Sequence, residues 1–280
     1  MSTAWPADAI APSSDWLDRY LRLLGLKREP PSLEALMRLS RAHLLRVPFA
    51  NIAALSRRTE SLGRPAPPPD PETLLASWEA GRGGGVCFDV SWMVNRLLNG
   101  LGYEARQVMG TISFDGSHQS VQVRVDGGRY LVDAGNGAPF FDPIPLDRET
   151  EVRVGELAYR FRPGAEPETW WQDRGIDGGW QPFCCYHLEP PDPAVREAGY
   201  QRHHTPGQSW VVDSLTLIRC TPAEVLVLRD DEFTRYTAEG KQRQPVDDHA
   251  ALVRGALGLP NFAIDDALRR WRELRRLRGG

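Results

Sequence analysis

Apolar residues recur at helical spacing through the first hundred positions. Trp16, Leu17, Tyr20, Leu21 and Leu24 share one face of a helix that Ser14 precedes and Gly25 ends. Ser32 caps a second helix, with Leu33, Leu36, Met37 and Leu44 close to one face; Ser40 interrupts the stripe and Pro48 stops it. A proline-rich loop, RTESLGRPAPPPD, then reaches Asp70 and Pro71, a cap and first-turn signal for a short helix through Trp78. Val90, Met93 or Val94, Leu97 and Leu101 mark a further helix that opens at Cys87, with Gly100 and Gly102 as its stop.

From about Gln107 the period changes to two. HQSVQVRVD puts Val121, Val123 and Val125 on one face, and Asp126-Gly127-Gly128 turns the chain into RYLVD, a hairpin signal. EVRVGELAYRF, the region around Trp170 to Tyr186, SWVVDSLTLIR and EVLVLRDDEFTRYTAEG read as further strands. The tail returns to helix over Asp247 to Leu257 and Asp265 to Leu277. The last of these is basic, with Arg269, Arg270, Arg272, Arg275, Arg276 and Arg278. Such a face suits an acidic partner or plain solvation.

Composition narrows the classes. With 280 residues, 41% hydrophobic and 25% charged, the chain suits an ordinary soluble protein of about two domains by length. A net charge of -3 gives no reason to expect nucleic acid or an anionic membrane as partner. No run of 18 apolar residues occurs and no secretory apolar segment follows Met1, so a cytoplasmic location is expected. The four cysteines form neither a disulfide framework nor a zinc-type C-x-x-C pair, and a free thiol is at home in a reducing compartment.

The candidate chemistry starts at Cys87. Gly83, Gly84 and Gly85 lead to it, and at a helix N-terminus the free N–H groups and the dipole favour a thiolate. The plain alternative is a buried cysteine opening a core helix. His118 opens the hairpin and Asp133 ends its second strand, so a turn near Gly127 lets the two face each other. A carboxylate beside a histidine holds one tautomer and stabilises the charged ring, and beside a thiol the pair makes a thiolate–imidazolium nucleophile. Individually, His118 also reads as a strand-end residue and Asp133 as a turn former before Gly135. The ordered combination is rarer than its parts, yet suits acyl transferases and cysteine hydrolases alike. His43 reads as structural, Cys184, Cys185 and Cys220 as core, and His203 and His204 as surface residues in a loop before Pro206. GRGGG follows no clear strand and is not a phosphate-binding loop.

Together these residues resemble the arylamine N-acetyltransferase family. Its R-G-G-x-C at a helix start, strand-opening histidine and V-D-x-G-x-G are met here by RGGGVC, HQSVQV and YLVDAGNG. The family's Cys, His and Asp carry over to Cys87, His118 and Asp133. VPFANI (47–52) resembles its P-F-E-N, and YQRHHTPGQSW and LGLPNFAID extend the resemblance over nearly the whole chain. The resemblance implies an α+β fold: an N-terminal helical bundle (1–103) with the cysteine, a central β-barrel-like domain (104–205) with the histidine and aspartate, and a C-terminal α/β lid (206–280), around a cysteine-protease-like triad. It also implies a ping-pong reaction with no bound cofactor and no metal. Acetyl-CoA or another acyl thioester acylates the cysteine, and a small-molecule amine takes the acyl group. Val86 and Phe88 beside the cysteine, Phe140 or Phe141 after the aspartate, and His204 on the acyl-donor side are the implied substrate contacts.

The departures concern the pocket. The family's arginine four residues before the cysteine is Gly83 here, with Arg82 one place further out, and its P-F-E-N glutamate is Ala50. Ser91 stands where an asparagine is common, and Asn136 where an aromatic is common. A cysteine loop less tightly tied to the bundle and a more open, more polar acceptor side are expected, favouring larger or more polar amines over simple anilines. Three readings stay open: an N-acyltransferase acting on an aromatic amine or hydrazine, an amide synthase of natural-product biosynthesis taking acyl from a carrier protein, and a cysteine hydrolase or non-catalytic binding module.

Overall fold

The computed structural model describes residues 12–60, 67–81, 84–205, 207–262 and 264–277. Helices α1 (Ser14–Leu24) and α2 (Leu33–Arg46) come first, then the short strand β1 (Phe49–Ala50) and helices α3 (Ile52–Glu60), α4 (Pro71–Glu79) and α5 (Cys87–Gly100). Local chemistry accounts for most of them. Ser13, one residue before the serine read from sequence, caps α1 through its hydroxyl, and Gly25 ends the helix in the left-handed region. Ser32 and Asp70 cap α2 and α4 as expected. All five periodic residues of α1 are buried, packed with Leu36, Trp78, Met93 and Leu97. Neither β1 nor α3 was legible locally. Residues 58–60 of the expected loop belong to α3, and 61–66 lie outside the described residues.

Eight antiparallel strands follow: β2 (Glu104–Thr111), β3 (His118–Val125), β4 (Gly128–Val132), β5 (Ile144–Pro145), β6 (Thr150–Val154), β7 (Leu157–Pro163), β8 (Thr169–Ile176) and β9 (Gly179–His187). Their order is β5-β4-β3-β2-β9-β8-β7-β6. Asp126 and Gly127 both have positive φ (50° and 74°) in the β3–β4 turn, the conformation that Asp-Gly favours in tight hairpins. Leu131 and Ile144 from one end of the sheet share a core with Tyr159, Phe161 and Trp170 from the other, so the sheet curls into a nearly closed barrel. On β3, Val121 and Val123 face α5, while the alternate positions His118, Ser120 and Gln122 point to the other side.

Helix α6 (Pro193–His204) and a 3-10 turn (Trp210–Val212) lead into β10 (Thr216–Cys220), β11 (Val225–Arg229), β12 (Glu232–Thr237) and β13 (Gly240–Pro245), then α7 (His249–Arg254) and α8 (Ile264–Leu277). The first half of SWVVDSLTLIR is thus a 3-10 turn rather than strand. The second sheet runs β1-β10-β11-β12-β13, so the chain's early segment completes a sheet made of its late one. Asn51 anchors that junction. Its side-chain amide donates to the carbonyls of Val211 and Ser214, and its oxygen accepts from the Thr216 N–H. Ile52 and Leu55 of α3 then join a core with Leu217, Leu228 and Trp271. The α8 arginines are largely exposed, Arg275 pairing with Asp231, and Arg278 lies outside the described residues. Among the described residues, no helix is long and apolar enough to cross a membrane.

Candidate active site

Cys87 is the first residue of α5 and only 7% exposed. Backbone contacts fix the loop before it. Phe49 and Gly85 form a parallel bridge, Ala50 N–H donates to the Gly85 carbonyl at 3.1 Å, and Trp78 Nε1 donates to the Gly84 carbonyl at 3.0 Å. A Cβ at Gly84 would lie 2.0 Å from the Pro48 carbonyl oxygen, so only glycine lets the two backbones pass. Arg82 and Gly83 lie outside the described residues. Gly84 and Gly85 are therefore tied to β1 by backbone pairing, beside a buried Ala50. A further tie comes from α3, where Arg57 Nη2 meets both oxygens of the buried Asp89 carboxylate at 3.1 Å.

His118 begins β3, and Asp133 directly follows β4, both 2% exposed. The hairpin register brings them together, with His118 Nε2 at 2.9 Å from each Asp133 oxygen. That contact leaves the other ring nitrogen for the thiol. Burial alone lowers the His118 pKa, but the Asp133 carboxylate and the Cys87 sulfur outweigh it and push the ring up to about 10. On the cysteine side, a Cβ at Gly135 would sit 2.7 Å from the Cys87 Cα, so this glycine lets the AGNG loop lie against the Cys87 backbone.

Tyr186 and Asn136 hold the aspartate, and Gln172 accepts from both of them. Tyr186 OH donates to Asp133 Oδ2 at 2.6 Å, with Gln172 Oε1 a competing acceptor at 2.8 Å for the same proton. Asn136 Nδ2 donates to Asp133 Oδ2 at 2.9 Å and lies 3.2 Å from Gln172 Oε1. Asn136 thus points at the carboxylate rather than making the acceptor side more polar. No local signal marks Tyr186 or Gln172, which stand on β9 and β8, far along the chain from Asp133.

The remaining expected contacts are placed differently from one another. Val86 and Phe88 are buried, Phe88 against Tyr200 and His203. Phe140 is committed to the barrel core, with ring centroids 5.0 Å from those of Tyr159 and Phe161, whereas Phe141 is half-buried against the cluster of Leu44, Cys220 and Val225. His203 and His204 are not surface loop residues. They end α6 and are buried there by packing against Phe88 and Tyr200. His203 donates from Nε2 to the Ser117 carbonyl and accepts at Nδ1 from Ser209, which bolts α6 to the turn leading into His118. Burial lowers the pKa of His203 to about 4 and of His204 to about 3, so both rings are neutral. His43 is structural, buried with Nδ1 on Tyr20 OH. Cys184, Cys185 and Cys220 are free and buried.

Comparison with known proteins bears on the family and the fold. The N-acetyltransferase family model matches residues 32–258. The chain is 29% identical over 238 residues to the arylamine N-acetyltransferase of Mycolicibacterium smegmatis, covering 80% of each protein. It is 26% identical over 185 residues to proansamycin X synthase of Amycolatopsis mediterranei, covering 62% of this chain and 68% of that one. Its fold is similar to that of the Mycobacterium abscessus arylamine N-acetyltransferase, with a TM-score of 0.78 at 22% identity over 95% of this chain and 99% of the other. The helices, the curled sheet and the extent of the match all lead to one assignment: the chain belongs to the arylamine N-acetyltransferase family and is an N-acyltransferase.

Proposed function

We propose that the protein transfers an acyl group, acetyl in the simplest case, from coenzyme A to a small amine by way of an acyl-cysteine at Cys87. The observation that carries this reading is the buried His118–Asp133 pair, 2.9 Å at both carboxylate oxygens, with the Cys87 sulfur among the groups that raise the ring's pKa. His118 takes the thiol proton. The sulfur attacks the thioester carbonyl, the bond from carbonyl carbon to the CoA sulfur breaks, and the departing CoA thiolate takes the proton from His118. The amine then attacks the acyl-cysteine carbonyl, the carbon–sulfur bond breaks, and the amine's proton returns through His118 to the cysteine. Asp133 holds the ring and stabilises its charge. Phe141 and the His204 end of α6 border the substrates in this reading.

The resemblance to proansamycin X synthase supports a second reading, in which the acyl chain is larger, the donor is a carrier-bound thioester and the product is a biosynthetic amide. Intact mass after mixing with acetyl-CoA separates the cases. A stable acetyl adduct on Cys87 that an amine discharges is the expected result. No adduct from acetyl-CoA, with reaction from a carrier thioester, moves the assignment to the second reading. Steady CoA release without amine overturns both in favour of a hydrolase.

A further inference from the structure

We propose that Arg57 is a positioning residue whose charge neutralises the buried Asp89 carboxylate beside Cys87, keeping the nucleophile's anionic form available. The inference rests on Cys87 being the nucleophile. Asp89 is the third residue of α5, two positions after the cysteine, and is 0% exposed. Its Oδ2 accepts the Val86 N–H at 3.4 Å, and both oxygens face Arg57 Nη2 at 3.1 Å. An acid in the first turn suits the helix dipole. It also sets a second negative charge two residues along α5 from Cys87, and between buried groups like charges repel strongly.

The other groups around the cysteine do not supply the missing positive charge. His118 from β3 is already matched with Asp133 after β4. Tyr186 and Cys184 from β9 are held neutral by burial. From α6, His203 and His204 are neutral for the same reason, and the Tyr200 hydroxyl lies against the Arg57 guanidinium itself. Thiolate, Asp89 and Asp133 are thus opposed by His118 and Arg57. Arg57 reaches the site from α3, which follows Asn51 and its latch to the second sheet, so it arrives on a fixed element.

The test is the pH profile of Cys87 alkylation by iodoacetamide in the full-length protein, with peptide mapping, which requires no acyl donor. Arg57→Met is expected to move the labelling midpoint up by about one pH unit, roughly tenfold slower labelling at neutral pH. Asp89→Asn is expected to move it down, Arg57→Met/Asp89→Asn to return it close to the wild-type position, and Arg57→Lys to hold it there. Opposite signs for the two single variants are what a purely structural role does not produce. Shifts in the same direction, or an unmoved midpoint in Asp89→Asn, overturn the proposal, and the latter remains decisive if Arg57→Met does not fold. A wild type labelled first at another cysteine instead overturns the nucleophile assignment, a separate and visible failure.

Discussion

Gly135→Ala is the most direct probe of how closely the loop after Asp133 is fitted to Cys87. The new methyl carbon would lie 2.7 Å from the Cys87 Cα, 3.1 Å from its carbonyl oxygen and 3.3 Å from its Cβ. Ordinary contact begins at 3.4 Å, and the closest atoms are backbone that cannot rotate away. The loop or the start of α5 must therefore yield by about 0.7 Å, and overpacking of this kind costs about 1–3 kcal/mol. That displacement falls on the sulfur's carrier and on the segment holding Asp133, where a misplacement near 1 Å costs on the order of 100-fold in rate. The matched control is Gly127→Ala at the far end of the same hairpin. No atom lies within 4 Å of its new carbon, but φ is +74°. That variant should lose about 1 kcal/mol of stability and keep its chemistry. The assay is the single-turnover rate of Cys87 acylation, measured beside the thermal midpoint. Acylation by Gly135→Ala within about twofold of wild type, or an equal rate loss in Gly127→Ala, refutes the reasoning.

Three further outcomes follow from the site and its surroundings. Brief alkylation at neutral pH should map to Cys87 alone, because burial holds the Cys184 thiol well above its ordinary range and pushes Cys220 up to about 12. Asp133→Asn should stay folded by circular dichroism yet acylate slower by on the order of 10⁴-fold, since the amide no longer orients or stabilises the charged ring; parity with wild type removes the aspartate from the mechanism. Stability should respond to pH on both sides. His118 is raised to about 10, so its contribution is complete below about 6.5 and lost as pH climbs through 10, and the gap in thermal midpoint between wild type and His118→Gln should close over that range. His43, His203 and His204 are lowered by burial to about 3, 4 and 3, so below about 6.5 the unfolded chain takes up protons that the folded one refuses. The thermal midpoint should fall with acidification through that range, and a flat profile contradicts the neutral assignments.

Near-neighbour patterns carried much of this protein. Caps at Ser32 and Asp70, the left-handed glycine after α1, the Asp-Gly turn and the switch from helical spacing to alternation are all written within a few residues of where they act. The three candidate catalytic residues were legible for the same reason: each sits at the end of an element whose boundary the sequence marks. What the tertiary structure alone decided involves pairing between distant segments. Strand β1 and helix α3 exist because Phe49 and Ala50 meet β10 and Asn51 meets the 3-10 turn, more than 150 residues away, and no local preference announces that. The curl of the barrel brings Tyr186 onto Asp133 with Gln172 behind it, and the packing of α6 buries two histidines whose polar surroundings in sequence suggest solvent. The Phe49–Gly85 backbone bridge and the Arg57–Asp89 ion pair belong to the same class. Hydrogen bonds and ion pairs between remote segments depend on register and curvature, quantities that arise only after the chain has closed on itself.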